Sequence, residues 1–207
     1  MKNMYSLMLS EAVVREVDAL AQRKGMTRSA LVNEILAEYV SFTTPEKRIN
    51  DIFGEIEKLF SLAGLPVKRV GRENTLTLRR ELEFPYRPTL NYEVELYRIP
   101  SNDRFGVLRV GYRTTSIKLL TFLYAFFDAF EEVERLYGNG RKVSYETTDG
   151  AWARTLVLPS QSTDLGKEIT DFVNFLDEQI KKALACGSFS GLESEYINCK
   201  SRGKLNI

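Results

Sequence analysis

The first forty residues constrain the fold most, because one short strand pattern is followed by two helix patterns and little else. A β-α-α unit of this size is too small to bury a stable core by itself. Its single strand also leaves an edge that needs a partner. Pairing the strand with a two-fold mate and interleaving the helices would meet both needs. The sequence therefore predicts a homodimer, or a higher even-numbered oligomer, built on residues 1–43.

The strand pattern covers residues 3–9, where alternate side chains share a face. Ser10 is suited to cap a first helix, which Lys24 and Gly25 end. Thr27 or Ser29 can cap a second helix that runs to about residue 42. The apolar side chains that we expect in the dimer interface are Tyr5, Leu7, Leu9, Val17, Leu31 and Ile35.

Several consecutive motifs in this segment together indicate one kind of protein. They are Tyr5-Ser-Leu-Met-Leu9, the helix start at Ser10, Val17-Asp-Ala-Leu-Ala-Gln-Arg-Lys-Gly25, Met26-Thr-Arg-Ser29 and Leu31-Val-Asn-Glu-Ile35. With these motifs residues 1–42 resemble the ribbon-helix-helix superfamily of MetJ/Arc/CopG-like DNA-binding proteins. The resemblance implies a transcriptional regulator, most simply a repressor, whose dimer inserts a two-stranded β-ribbon in the major groove of double-stranded operator DNA.

The resemblance also implies which side chains meet DNA. One face of the ribbon would carry Met4, Ser6 and Met8, with Lys2 at its entrance, and the start of the second helix would face a phosphate. The family usually places Arg, Lys, Asn or Gln on the ribbon face, so this chain departs from the pattern and a modest, AT-leaning preference is expected. The expected DNA contacts are Lys2, Met4, Ser6, Met8, Lys24, Thr27, Arg28 and Ser29.

Two other interpretations of this segment stay open. One is an antitoxin that represses its own operon, although about 140 further residues with structural patterns exceed the short, disordered tail usual in that class. The other is a scaffold protein that uses the module only to dimerise, with Met4 and Met8 covered by another protein.

The rest of the chain predicts a second, α+β domain. Thr43 and Glu46 have capping-box spacing around Pro45, which predicts a connector helix over residues 44–64. Alternating strand patterns and two long helices over residues 65–186 predict an antiparallel sheet with helices on one face. We expect this domain to sense a small molecule or to bind a protein effector, and we expect residues 187–207 to form a loose tail.

One stretch of the second domain is basic. Residues 66–113 contain ten Arg or Lys against six Asp or Glu. This excess is consistent with a second nucleic-acid surface and equally with a solvated sheet face.

The chain contains no histidine, which removes the commonest general base and the commonest neutral metal ligand. Ser-His-Asp and Cys-His nucleophiles are therefore excluded. Cysteines and carboxylates have no recognisable metal spacing. We expect no catalytic activity and no cofactor. The net charge of +1 gives no overall attraction to nucleic acid, so any such attraction must be local.

The chain also has no pattern typical of secretion or membrane insertion. Its most apolar segment, residues 117–130, is interrupted by Lys118, Thr121 and Asp128. We expect a cytoplasmic protein without membrane contact, whose Cys186 and Cys199 remain reduced thiols.

Overall fold

The computed structural model describes residues 5–40, 42–65, 67–69, 73–138, 140, 142–159 and 164–207. The chain is α+β, as the sequence predicts, and divides into two compact units, Met1–Arg48 and Ile49–Ile207. In chain order the elements are α1 (Glu11–Arg23), α2 (Arg28–Tyr39), α3 (Pro45–Leu62), β1 (Val67–Arg69), β2 (Thr75–Glu81), β3 (Thr89–Ser101), β4 (Arg104–Tyr112), α4 (Ile117–Tyr137), β5 (Tyr145–Thr148), β6 (Ala151–Val157), α5 (Leu165–Cys186) and α6 (Leu192–Ser201).

Side-chain caps set where several helices begin. The hydroxyls of Ser10, Thr27 and Ser116 each accept a hydrogen bond from the amide three residues on, at 3.3–3.4 Å. The caps at Ser10 and Thr27 are among those that the sequence predicts. The expected cap of α3 is wrong by one residue, since the hydroxyl of Thr44, rather than that of Thr43, accepts the equivalent bond at 3.2 Å.

The first unit differs from the expected β-α-α order. Its described part begins with α1, and residues 5–9 form no hydrogen-bonded strand and are exposed. Residues 3 and 4 of the expected strand lie outside the described residues. A β-strand is defined by its backbone hydrogen bonds to a neighbouring strand. In the ribbon proposed from the sequence, that neighbouring strand would belong to a second copy of the chain. The helix α2 ends at Tyr39, earlier than expected.

The second unit is built on one antiparallel sheet in the order β1-β2-β3-β4-β6-β5. Tight turns join its hairpins. Asn102 and Asp103 have φ of +50° and +64° between β3 and β4, and Gly150 has φ of +83° between β5 and β6. Because α4 separates β4 from β5 in the chain, the last hairpin returns to place β6 beside β4.

The two faces of this sheet are chemically different. Alternate strand residues on one face are buried against the helices, and they include Leu76, Leu78, Leu90, Tyr92, Val94, Leu108, Val110, Trp152 and Leu156. The helices α3 to α6 bury aromatic side chains in the same core, among them Phe53, Phe60, Phe126, Phe130, Phe172 and Tyr196. The other face carries half-buried or exposed polar side chains, such as Arg79, Asn91 and Glu93. Helices on one face of an antiparallel sheet were the expected arrangement.

The expectation of a loose tail over residues 187–207 is wrong. The helix α6 lies within it, and Leu192 and Tyr196 are buried one turn apart. Leu205 and Ile207 are also buried, and the guanidinium of the buried Arg154 donates a hydrogen bond to the carbonyl oxygen of Ile207. Four apolar anchors therefore make this segment part of the core.

Candidate functional site

The first unit exposes most of its large apolar side chains. Its buried hydrophobic residues, within the described part, are Ala21 and Leu31. Ten large hydrophobic side chains of residues 5–42 are exposed, against six in the whole described part of the second unit. The ten are Tyr5, Leu7, Met8, Leu9, Val13, Ile35, Leu36, Tyr39, Val40 and Phe42. An apolar surface concentrated in this way is typical of an interaction site.

The residues expected at a dimer interface fall into two groups. Tyr5, Leu7, Leu9 and Ile35 are exposed, and Tyr5 has 80% of its surface in water. Val17 is half-buried, and Leu31 is buried within the unit at 1% exposure. Leu31 therefore supports the packing of α1 against α2 in one copy, whereas the four exposed side chains are accessible to another molecule.

Two of the basic side chains expected to contact DNA, Lys24 and Arg28, each pair with a carboxylate of their own unit. The Arg28 Nε and Nη2 atoms donate to the two carboxylate oxygens of Asp18, both at 2.5 Å. This pairing raises the pKa of Arg28 and lowers that of Asp18. The Lys24 Nζ atom lies 3.1 Å from Glu34 Oε1. Both ion pairs are exposed, and water and salt screen such pairs strongly, so a phosphate could displace the carboxylates.

The other expected DNA contacts are partly described. Ser6 and Met8 are exposed, and the side chain of Met8 is fully in water. Thr27 caps α2 through the amide of Ala30, and Ser29 is exposed in the first helical turn. Lys2 and Met4 lie outside the described residues. Thr27, Arg28 and Ser29 thus lie at the start of α2, and Lys24 lies at the end of α1, three residues before Thr27.

Comparisons with protein-family models, with curated proteins and with solved structures found no match. The function must therefore be argued from the chain's own residues.

Within the described residues, histidine, cysteine and carboxylate side chains form no cluster of three or more that could hold a metal ion. Cys186 and Cys199 are free thiols, as expected. No helix in the described part of the chain is both long and apolar enough to cross a bilayer.

Sequence reasoning missed a basic cleft on the polar face of the sheet. The cleft has a volume of about 550 Å³ and is lined by Arg79, Arg87, Pro88, Thr89, Asn91 and Arg113. The excess of basic residues over 66–113 was its only signal in the sequence. That excess could not locate the cleft, since its residues come from two strands, one turn and the end of a third strand.

Proposed function

We propose that the chain is a homodimeric transcriptional regulator, most simply a repressor, that binds operator DNA through its first unit. In this proposal residues 3–9 of two copies pair as a β-ribbon that enters the major groove, as the ribbon-helix-helix resemblance implies. The second unit would sense a ligand or bind a partner.

The apolar surface of residues 5–42 is the observation that carries the dimer. Two buried hydrophobic residues cannot stabilise a unit of this size, and ten exposed ones need a cover. A second copy supplies both the cover and a ladder partner for residues 5–9. Leu7 and Leu9 can then face the helices of the dimer while Ser6 and Met8 face outward.

A scaffold function is the second candidate, and the ion pairs of the first unit favour it. Arg28 and Lys24 are matched by Asp18 and Glu34, so this surface has little free positive charge for DNA. The exposed Met8 would suit an apolar protein partner as well as a thymine methyl.

Selection of genomic fragments by the full-length protein, followed by sequencing, separates the two functions. If the chain reads DNA, one sequence is enriched, and Ser6→Ala or Met8→Ala changes which sequence binds best. Arg28→Ala should weaken all sequences similarly and reduce the slope of log affinity against log salt by about one unit or less. Arg23→Ala removes an exposed arginine at the end of α1 and serves as the matched control.

Each function has its own decisive result. Dimers that retain no DNA fragment above background would refute the regulator and support the scaffold. Enrichment that the ribbon substitutions leave unchanged would show that residues 3–9 do not read the sequence.

A further inference from the structure

We propose that the basic cleft of the second unit binds a small ligand that carries a phosphate group. The first observation concerns the side chains of its three arginines, which have no partner among the described residues. Within the described part of the chain, the guanidinium groups of Arg79, Arg87 and Arg113 make no ion pair and no hydrogen bond. Of the other eight described arginines of this unit, Arg104 and Arg202 likewise have no carboxylate partner, and six each lie against a carboxylate, namely Arg69, Arg80, Arg98, Arg109, Arg135 and Arg154.

The register of the sheet explains how these arginines come together. Arg79 on β2 lies directly opposite Asn91 on β3. Tyr112 on β4 lies opposite Leu90, so Arg113 follows beside Thr89. Arg79 and Arg113 therefore flank β3 from its two neighbouring strands, staggered by two residues along it and about 12 Å apart between backbones. The fold holds two like charges on either side of a polar floor, and this arrangement favours an anion between them.

The third arginine enters from the turn between β2 and β3. Arg87 has φ of +43°, and Tyr86 before it has φ of +66°. These values lie in the left-handed region, which non-glycine residues adopt uncommonly. The turn therefore holds Arg87 at the cleft in a defined backbone conformation, so the three lining arginines come from β2, from this turn and from the residue after β4.

The donor set favours phosphate over carboxylate. One guanidinium fork satisfies a planar carboxylate, whereas three guanidinium groups can surround a tetrahedral anion with more oxygens. The Thr89 hydroxyl and the Asn91 amide line the same cleft and can add further hydrogen bonds. The volume of about 550 Å³ lies within the range of small-molecule sites.

The surrounding charges favour a compact ligand over a long polyanion. Farther along the polar face, Glu93 and Glu95 both pair with Arg109, which leaves one net negative charge there. Glu81, opposite Thr89 in the register, adds a carboxylate at the border of the cleft. A nucleic-acid strand lying across this face would meet these carboxylates, whereas a small phosphate compound would not.

Calorimetric titration of the full-length protein with pyrophosphate tests the proposal. Pyrophosphate should bind and raise the melting temperature, and citrate at equal ionic strength should bind far more weakly. Arg79→Ala and Arg113→Ala should each weaken pyrophosphate binding by about tenfold or more. Arg202→Ala, which removes an exposed arginine after α6, should leave it unchanged. The cleft arginines are exposed and unpaired, so unliganded variants should melt like the parent.

Three results would overturn the proposal. They are the absence of binding, binding of citrate as strong as that of pyrophosphate, and an oligonucleotide that binds through Arg79 and Arg113 more tightly than pyrophosphate. None of these results bears on DNA binding by the first unit, because the variants of the two experiments lie in different units.

Discussion

Replacing Leu7 with Ser should weaken the proposed dimer strongly. Leu7 has 61% of its surface exposed in one copy, and formation of the dimer would bury this exposed surface. Complete burial of a leucine contributes about 1.5–3 kcal/mol, so the remaining burial contributes about 1–2 kcal/mol. A two-fold interface contains the residue twice, which gives about 2–4 kcal/mol per dimer. Since about 1.4 kcal/mol corresponds to tenfold, the dissociation constant should rise by roughly thirty- to several-hundredfold.

Sedimentation velocity of the full-length chain across a dilution series measures this change. Leu136→Ser is the matched control, because Leu136 lies on α4 in the second unit and has 68% of its surface exposed. The control should dissociate like the parent protein. A parent that is monomeric at every concentration would refute the reasoning, and so would equal dissociation constants for the two variants.

Two further predictions concern the second unit. Arg154→Met should lower the free energy of unfolding by about 3–5 kcal/mol, because it leaves the buried Glu134 carboxylate without its cation. Adding Glu134→Gln should recover part of this loss in urea denaturation, and equal stability of single and double variants would contradict the prediction. The hydrogen bond with Asp164, and then burial, raises the pKa of Glu55 from its ordinary 4.5 to about 7. Folding thus favours the protonated carboxyl of Glu55, so the contribution of this group to stability is present at low pH and lost as the pH rises through about 7. Glu55→Gln should flatten this pH dependence of stability. An unchanged pH profile of the urea midpoint in the variant would refute the prediction.

The sequence predicts local structure well where a single side chain decides it. Ser10 caps α1 at the expected residue, and the expected end of that helix at Lys24 is also correct. Gly25, the expected stop after that helix, has φ of +65°, a conformation that glycine adopts readily. Pairing order needs more than local patterns. The position of β6 between β4 and β5 depends on how α4 crosses the sheet, and no residue encodes that directly.

The burial of residues in the segment 187–207 could not be predicted from local patterns. Leu192, Tyr196, Leu205 and Ile207 stand among glycines, serines and charged residues, so their pattern resembles that of a loop. Their burial depends on a groove formed by distant elements, including Arg154 on β6. Tertiary contacts therefore outweigh local composition in this segment.

The candidate sites also contain features that the sequence predicts and features that depend on tertiary contacts. Contiguous residues such as Thr27 and Arg28 could be grouped from the sequence, and the cap at Thr27 is confirmed. The ion pair of Arg28 with Asp18 and the convergence of Arg79 with Arg113 depend on how separate elements meet. Such contacts cannot be obtained from the spacing of residues along the chain.

The outer strands of the sheet have a consequence for aggregation. Within the described residues β1 covers three positions, which include Lys68 and Arg69, and β5 covers four, of which three are exposed. Arg69 is also held by the Glu57 carboxylate on α3, at 2.7 Å. Short, charged edges of this kind oppose the addition of a foreign strand and the growth of fibres. The second unit is thus protected against joining other sheets, whereas residues 5–9 of the first unit carry no such protection.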